Sequence, residues 1–148
     1  MTPIETWDTG DGVVEFPDGR RVRGRGILAP PPTGPNPQFG LYLLDRDPRI
    51  ERWPHRWVQW QDFSLPTSTT EAVAALHQAH ARAAIERVEL ACDGGMGRTG
   101  TALAALAIIS GITTSDAVDW VRAHYHPQAV ETPHQRRWIN NVSPQLRK

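Results

Sequence analysis

Cysteine and lysine are almost missing from this chain, and so is net charge. One cysteine, Cys92, stands among 148 residues. No disulfide can form within the chain, which excludes the small secreted scaffolds held by such bonds. Sixteen basic residues balance sixteen acidic ones. That leaves no global positive field to steer the protein to nucleic acid or to an anionic membrane, and neither is expected as a partner. Lys148 is the only lysine, the remaining basic residues being arginines. Together with thirteen prolines and many alanines, this reads as a bias of composition and not as a sign of function. No apolar run is long enough to cross a bilayer: the longest, Ala102 to Ile109, is well short of the roughly 20 residues required. The first residues carry Glu5, Asp8 and Asp11 in place of a basic stretch followed by an apolar one. No signal peptide is expected, and a cytoplasmic protein is.

What is present suffices for one core. Hydrophobic residues make up 39% and charged residues 22%, so residues 1–148 are read as a single domain. Two short strands, Val13 to Phe16 and Arg21 to Arg23, flank the turn sequence Pro17-Asp18-Gly19 and predict a hairpin. The local basic cluster of Arg20, Arg21, Arg23 and Arg25 is then read as its solvated face. Ala29 to Pro37 holds too many prolines for helix or central strand and is expected to be a surface loop. Further strands are expected at Gly40 to Leu44, Arg56 to Trp60 and Val88 to Cys92. Helices are expected from the capping sequence at Ser68 to about Arg87, and from Arg98 to Ser110 with a stop at Gly111. A third follows Thr114-Ser115-Asp116, and a fourth opens at Thr132-Pro133 and carries Trp138 and Ile139. Strands preceding clustered helices predict an α/β fold, a small central sheet flanked by helices. The second helix is apolar nearly all round and is expected at its centre.

The segment that carries chemistry is Cys92-Asp93-Gly94-Gly95-Met96-Gly97-Arg98-Thr99-Gly100. A strand delivers a cysteine into a glycine-rich turn, and the turn feeds the start of a buried helix. Glycines let successive N–H groups face one point, an anion nest. The helix start adds free N–H groups and the positive end of its dipole. Arg98 supplies a planar fork that can grip two phosphate oxygens. The same field favours thiolate at Cys92, and a thiolate at the floor of an oxyanion cradle is placed to attack phosphorus. A lone cysteine is more often a small buried hydrophobe, but not in such a setting. His77 and His80 lie three residues apart with no third ligand in view, so no metal site is expected.

This loop resembles the active-site loop of the cysteine-dependent protein tyrosine and dual-specificity phosphatases: cysteine, five residues, then Arg98-Thr99-Gly100, with Gly95 at the mid-loop glycine. Trp60-Gln61-Asp62-Phe63-Ser64-Leu65-Pro66 is similar to the family's general-acid loop. Glu131-Thr132-Pro133-His134-Gln135 is similar to the segment bearing a water-positioning glutamine. The three segments span about the last hundred residues, and residues 1–40 match no motif. Two departures stand out. Ala91 takes the place of the family's histidine before the cysteine, which helps orient the loop, and Gln61 takes the place of a proline.

The resemblance implies a fold with the phosphate loop between a strand and a buried helix, and metal-free, cofactor-free hydrolysis of phosphomonoesters. Cys92 is implied as nucleophile, Asp62 as acid and then base, Gln135 as the water-orienting group, and Thr99 as a hydrogen-bond donor to the sulfur. Asp93, Gly94, Gly95, Met96, Gly97 and Arg98 are implied as the substrate cradle. Asp45 and Asp47 are the reserve acids. The expected substrate is a phosphorylated protein or a small phosphomonoester; oligomeric state is not legible. Two other readings remain at this stage: a different oxyanion enzyme, such as an arsenate reductase or sulfurtransferase, and a phosphate-recognition module without turnover.

Overall fold

A computed structural model describes residues 5–148. Ten elements follow one another: β1 (Val13–Glu15), β2 (Arg21–Gly26), β3 (Phe39–Leu44), β4 (His55–Gln59), α1 (Thr69–Arg82), β5 (Val88–Cys92), α2 (Gly97–Ile109), a 3-10 turn (Thr114–Asp116), α3 (Ala117–His124) and α4 (Pro133–Leu146). The α/β class and the clustering of helices after strands are as the patterning predicts. The strands form one five-stranded sheet in the order β1-β2-β5-β3-β4. β1 and β2 are antiparallel and close a hairpin, with Gly19 in the left-handed region at φ 87°. All other pairings are parallel. β5 is therefore the central strand, and its C-terminal residue is Cys92.

Local chemistry explains the element ends. Ser68 accepts a hydrogen bond from the Glu71 N–H at the start of α1, the capping contact its spacing predicts. Thr132 does the same for Gln135, and Gln135 returns a bond to the cap, with Pro133 at the first helical position. Three boundaries differ from expectation, the first being β2, which runs past Arg23 to Gly26. α1 ends at Arg82 and the chain turns over Ala83 to Glu86 before β5. Thr114-Ser115-Asp116 forms a 3-10 turn and not a side-chain cap.

α2 is buried along its whole length from Gly97 to Ile108, the central helix its apolar surround predicts. Small residues allow close approach: a Cβ on Gly100 would lie 2.6 Å from the Ala129 Cβ. Leu103, Leu106 and Ile108 are each buried, and each contributes roughly 1.5–3 kcal/mol. The main core lies between the sheet and the helices. The opposite face carries a smaller cluster of Tyr42, Leu44 and Ala91.

That second face corrects the reading of the basic cluster. Arg23 is buried, and with Arg25 it converges on Glu89, which is fully buried. Parallel register places Arg23 beside Glu89 and Arg25 beside Ala91, so alternation sends both arginines to one face. Only Arg20 and Arg21 keep to the hairpin rim, on Asp18 and Glu15. No helix among the described residues is long and apolar enough to cross a membrane.

Candidate active site

The Cys92 sulfur is the centre around which the turn closes. It lies 2% exposed and accepts two hydrogen bonds, from the Gly95 N–H at 3.1 Å and from Thr99 Oγ1 at 3.0 Å. The first requires the backbone to curl back on itself, and Gly95 does so at φ 76°. A Cβ there would come within 2.5 Å of the Gly26 nitrogen, so both conformation and space demand glycine. The turn is held by the residues that follow β2: the Ile27 N–H donates to the Cys92 carbonyl and the Leu28 N–H to the Asp93 carbonyl. Tyr125, at the end of α3, donates its hydroxyl to the Gly95 carbonyl at 2.5 Å. Burial, with the nearby Cys92, raises the Tyr125 pKa above the usual phenol range.

Helix α2 begins within this turn. The Gly100 N–H makes its bond to the Met96 carbonyl at 2.8 Å, so the N–H groups of Gly97 and Arg98 precede the first helical hydrogen bond. The Arg98 side chain is 1% exposed. Its Nη1 donates to the Trp60 carbonyl at 2.9 Å, while its Nε is buried without a partner. Buried donors are seldom left unpaired. A planar cation with a free N–H, a sulfur receiving two donors and a helix start together form a pocket for an oxyanion.

The Asp62 segment meets this cradle through Arg98. Trp60 is fully buried and its Nε1 donates to the Ser64 carbonyl at 2.7 Å, closing the loop upon itself. Phe63 is exposed and left-handed at φ 57°, with its N–H donating to Asp62 Oδ1 at 3.0 Å. Asp62 Oδ1 stands 3.6 Å from Arg98 Nη2. Gln135 is fully buried and not a mere surface helix residue. Its oxygen accepts from the N–H groups of Glu131 and Thr132, and its nitrogen donates to the Ser64 carbonyl at 3.3 Å. Cys92, Arg98, Thr99, Asp62 and Gln135, distant in sequence, are thus brought to one place.

A sequence profile of the protein-tyrosine phosphatase family matches residues 44–143. The chain belongs to that family. An uncharacterised protein of Methanocaldococcus jannaschii is 30% identical over 122 residues, covering 70% of this chain and 75% of that one. The structure of Tk-PTP in its active form matches with a TM-score of 0.69 at 20% identity, over 92% of this chain and 99% of that one. Kinase associated phosphatase matches at 0.61 and 14% identity, over 74% and 70% of the two chains. These two structural likenesses show a shared fold, and the family makes this chain a phosphatase.

Around this candidate site lie residues that the sequence did not single out. Arg46 grips the Asp93 carboxylate with both Nη atoms, at 2.8 and 3.2 Å. That contact, outweighing partial burial and aided by Arg98, holds Asp93 below the usual carboxylate range. Asp45 and Asp47, the reserve acids, are engaged elsewhere: Asp45 with Arg46 and Asp47 with the Arg49 N–H. Beneath β5, Glu89 accepts from Arg23, Arg25 and Tyr42 at 2.7, 2.6 and 2.9 Å, and Tyr42 accepts from Trp53 Nε1 at 2.7 Å. Burial, reinforced by Glu89, raises the Tyr42 pKa. A glutamate within an otherwise apolar strand was the available sign of this network. For Arg46 no local sequence sign exists. His77 and His80 bond to the Gln145 carbonyl and to Asp18.

Proposed function

We propose that this phosphatase hydrolyses phosphomonoesters on proteins, phosphotyrosine or phosphoserine and phosphothreonine, through a phosphocysteine intermediate. The Cys92 thiolate attacks phosphorus, and the ester oxygen leaves with a proton from Asp62. Arg98 and the N–H groups of residues 93–98 hold the three equatorial oxygens as charge spreads over them. Water, oriented by Gln135, then attacks phosphorus, and the phosphorus–sulfur bond breaks. Asp62 takes its proton, phosphate departs and the thiolate is restored. Thr99 supports the sulfur as nucleophile and as leaving group. None of these steps needs a metal. Residues 1–148 act as one domain in this reading, because the chain leaving β2 provides the wall to which the cradle is bonded, and we place it in the cytoplasm.

The observation that supports this most is Arg98, almost fully buried and anchored at Nη1 with Nε free, on the same turn-to-helix junction whose other residues give the Cys92 sulfur two donors. The test is hydrolysis of an aryl phosphate in the presence of chelator, comparing the native chain with Cys92→Ser. Turnover is expected to survive chelation and to vanish in the serine variant. A native chain that binds vanadate but releases no phosphate is instead a recognition module.

A further inference from the structure

Among the backbone-lined positions of the cradle, Asp93 stands out because it brings a negative charge to a pocket for anions. Its Oδ2 is 3.6 Å from Arg98 Nη2, just beyond hydrogen-bond distance. The Asp62 carboxylate stands at the same distance from the same nitrogen. An unrestrained Asp93 carboxylate would need only a small rotation to close on Arg98, and a bidentate carboxylate–guanidinium pair is a good mimic of the substrate's own contact. What prevents it is Arg46. This residue lies just beyond the end of β3, its side chain half exposed, and it meets both oxygens of Asp93 with the parallel geometry that defines the strong form of this pair. It also takes Asp45 on Nη1 at 2.9 Å, which fixes the guanidinium from a second side.

We propose that Arg46 is a positioning residue of the cradle: it draws the Asp93 carboxylate outward and neutralises it, so that the Arg98 fork stays available to the substrate oxyanion. The role rests on the phosphatase reading above and deepens it. Arg46 acts through Asp93 and not on the substrate. Its loss should therefore be felt in binding, by leaving Asp93 free to compete for Arg98 and to repel an incoming dianion. It should be repaired by removing the charge that it restrains.

The experiment is a cycle of Arg46→Ala, Asp93→Asn and the double variant, each read by orthovanadate affinity and by KM and kcat on an aryl phosphate. Arg46→Ala should weaken vanadate binding and raise KM by about tenfold or more, the usual scale for a lost charged hydrogen bond, with a smaller change in kcat. The double variant should match Asp93→Asn and bind vanadate more tightly than Arg46→Ala, because the charge that Arg46 restrains is gone from it. Arg46→Ala within twofold of native affinity overturns the proposal. So does a double variant as weak as Arg46→Ala, since Arg46 then touches the ligand itself or supports the fold. A native chain that neither binds vanadate nor hydrolyses the ester overturns the phosphatase reading first, and the role of Arg46 with it.

Discussion

At the scale of single residues, the site is an arrangement of donors looking for a charge. Thr99 and the Gly95 N–H both point at the Cys92 sulfur, which fixes it at the floor of the turn. Asp62 is the complementary case: its side chain is half exposed, on a turn, with Oδ1 3.6 Å from Arg98 Nη2. If it delivers the proton to the leaving oxygen, its effect must depend on how much that oxygen needs one. Asp62→Ala is expected to slow hydrolysis of an alkyl phosphate by about 10²- to 10⁴-fold and of a nitrophenyl phosphate far less, with vanadate affinity retained. Rates measured across a series of leaving groups check this; a uniform loss would remove Asp62 from proton transfer.

At the scale of elements, the cradle is a junction of β5, the turn and α2 clamped by two neighbours. Ile27 and Leu28, just past β2, hold the carbonyls of Cys92 and Asp93, and Tyr125 holds that of Gly95. The tightest point of the clamp is Gly95 against β2, where a methyl group would lie 2.5 Å from the Gly26 nitrogen and 2.6 Å from the Arg25 carbonyl carbon. Gly95→Ala meets this overlap as well as a left-handed backbone costing an L-residue about 1–2 kcal/mol. The turn must move, and the N–H groups move with it. We expect kcat/KM to fall by about 100-fold or more, the scale associated with misplacing reactive groups by an ångström, while circular dichroism stays native. Activity within threefold of native would show that the turn tolerates a side chain there. Gln135 links two further elements, since the amide that completes the α4 cap also holds the Ser64 carbonyl of the Asp62 loop.

At the scale of the whole molecule, the sheet has two unlike faces. Helices cover one with an apolar core, and the other holds Glu89 under Arg23, Arg25 and Tyr42. Such a network contributes through its completeness: removing one member leaves the others buried and unpaired. Glu89→Ala should therefore destabilise the fold by about 3–5 kcal/mol, read by urea unfolding at neutral pH. A loss below about 1 kcal/mol would mean that water or rotation relieves the two arginines. Because Glu89 is three residues from Cys92 on the same central strand, the network also braces the strand that delivers Cys92.

How much of this was legible in the chain depends on the range of each interaction. The loop from Cys92 to Gly100, the caps at Ser68 and Thr132, the hairpin over Gly19 and the buried character of α2 are local properties, set by neighbours within a turn or two, and they could be read directly. Helix ends such as Arg82 and the 3-10 turn at Thr114 were less legible, because propensity there is weak and packing decides. Arg23 and Arg25 look like surface charge until parallel register sets them beside Glu89, a pairing across more than sixty residues. Arg46 meets Asp93 across a gap of forty-seven. The sequence alone determined which groups could do chemistry and which turn would gather them, since those depend on residue type and local spacing. Only the tertiary structure decided which charges face one another, because strand order and register, not proximity along the chain, bring those partners together.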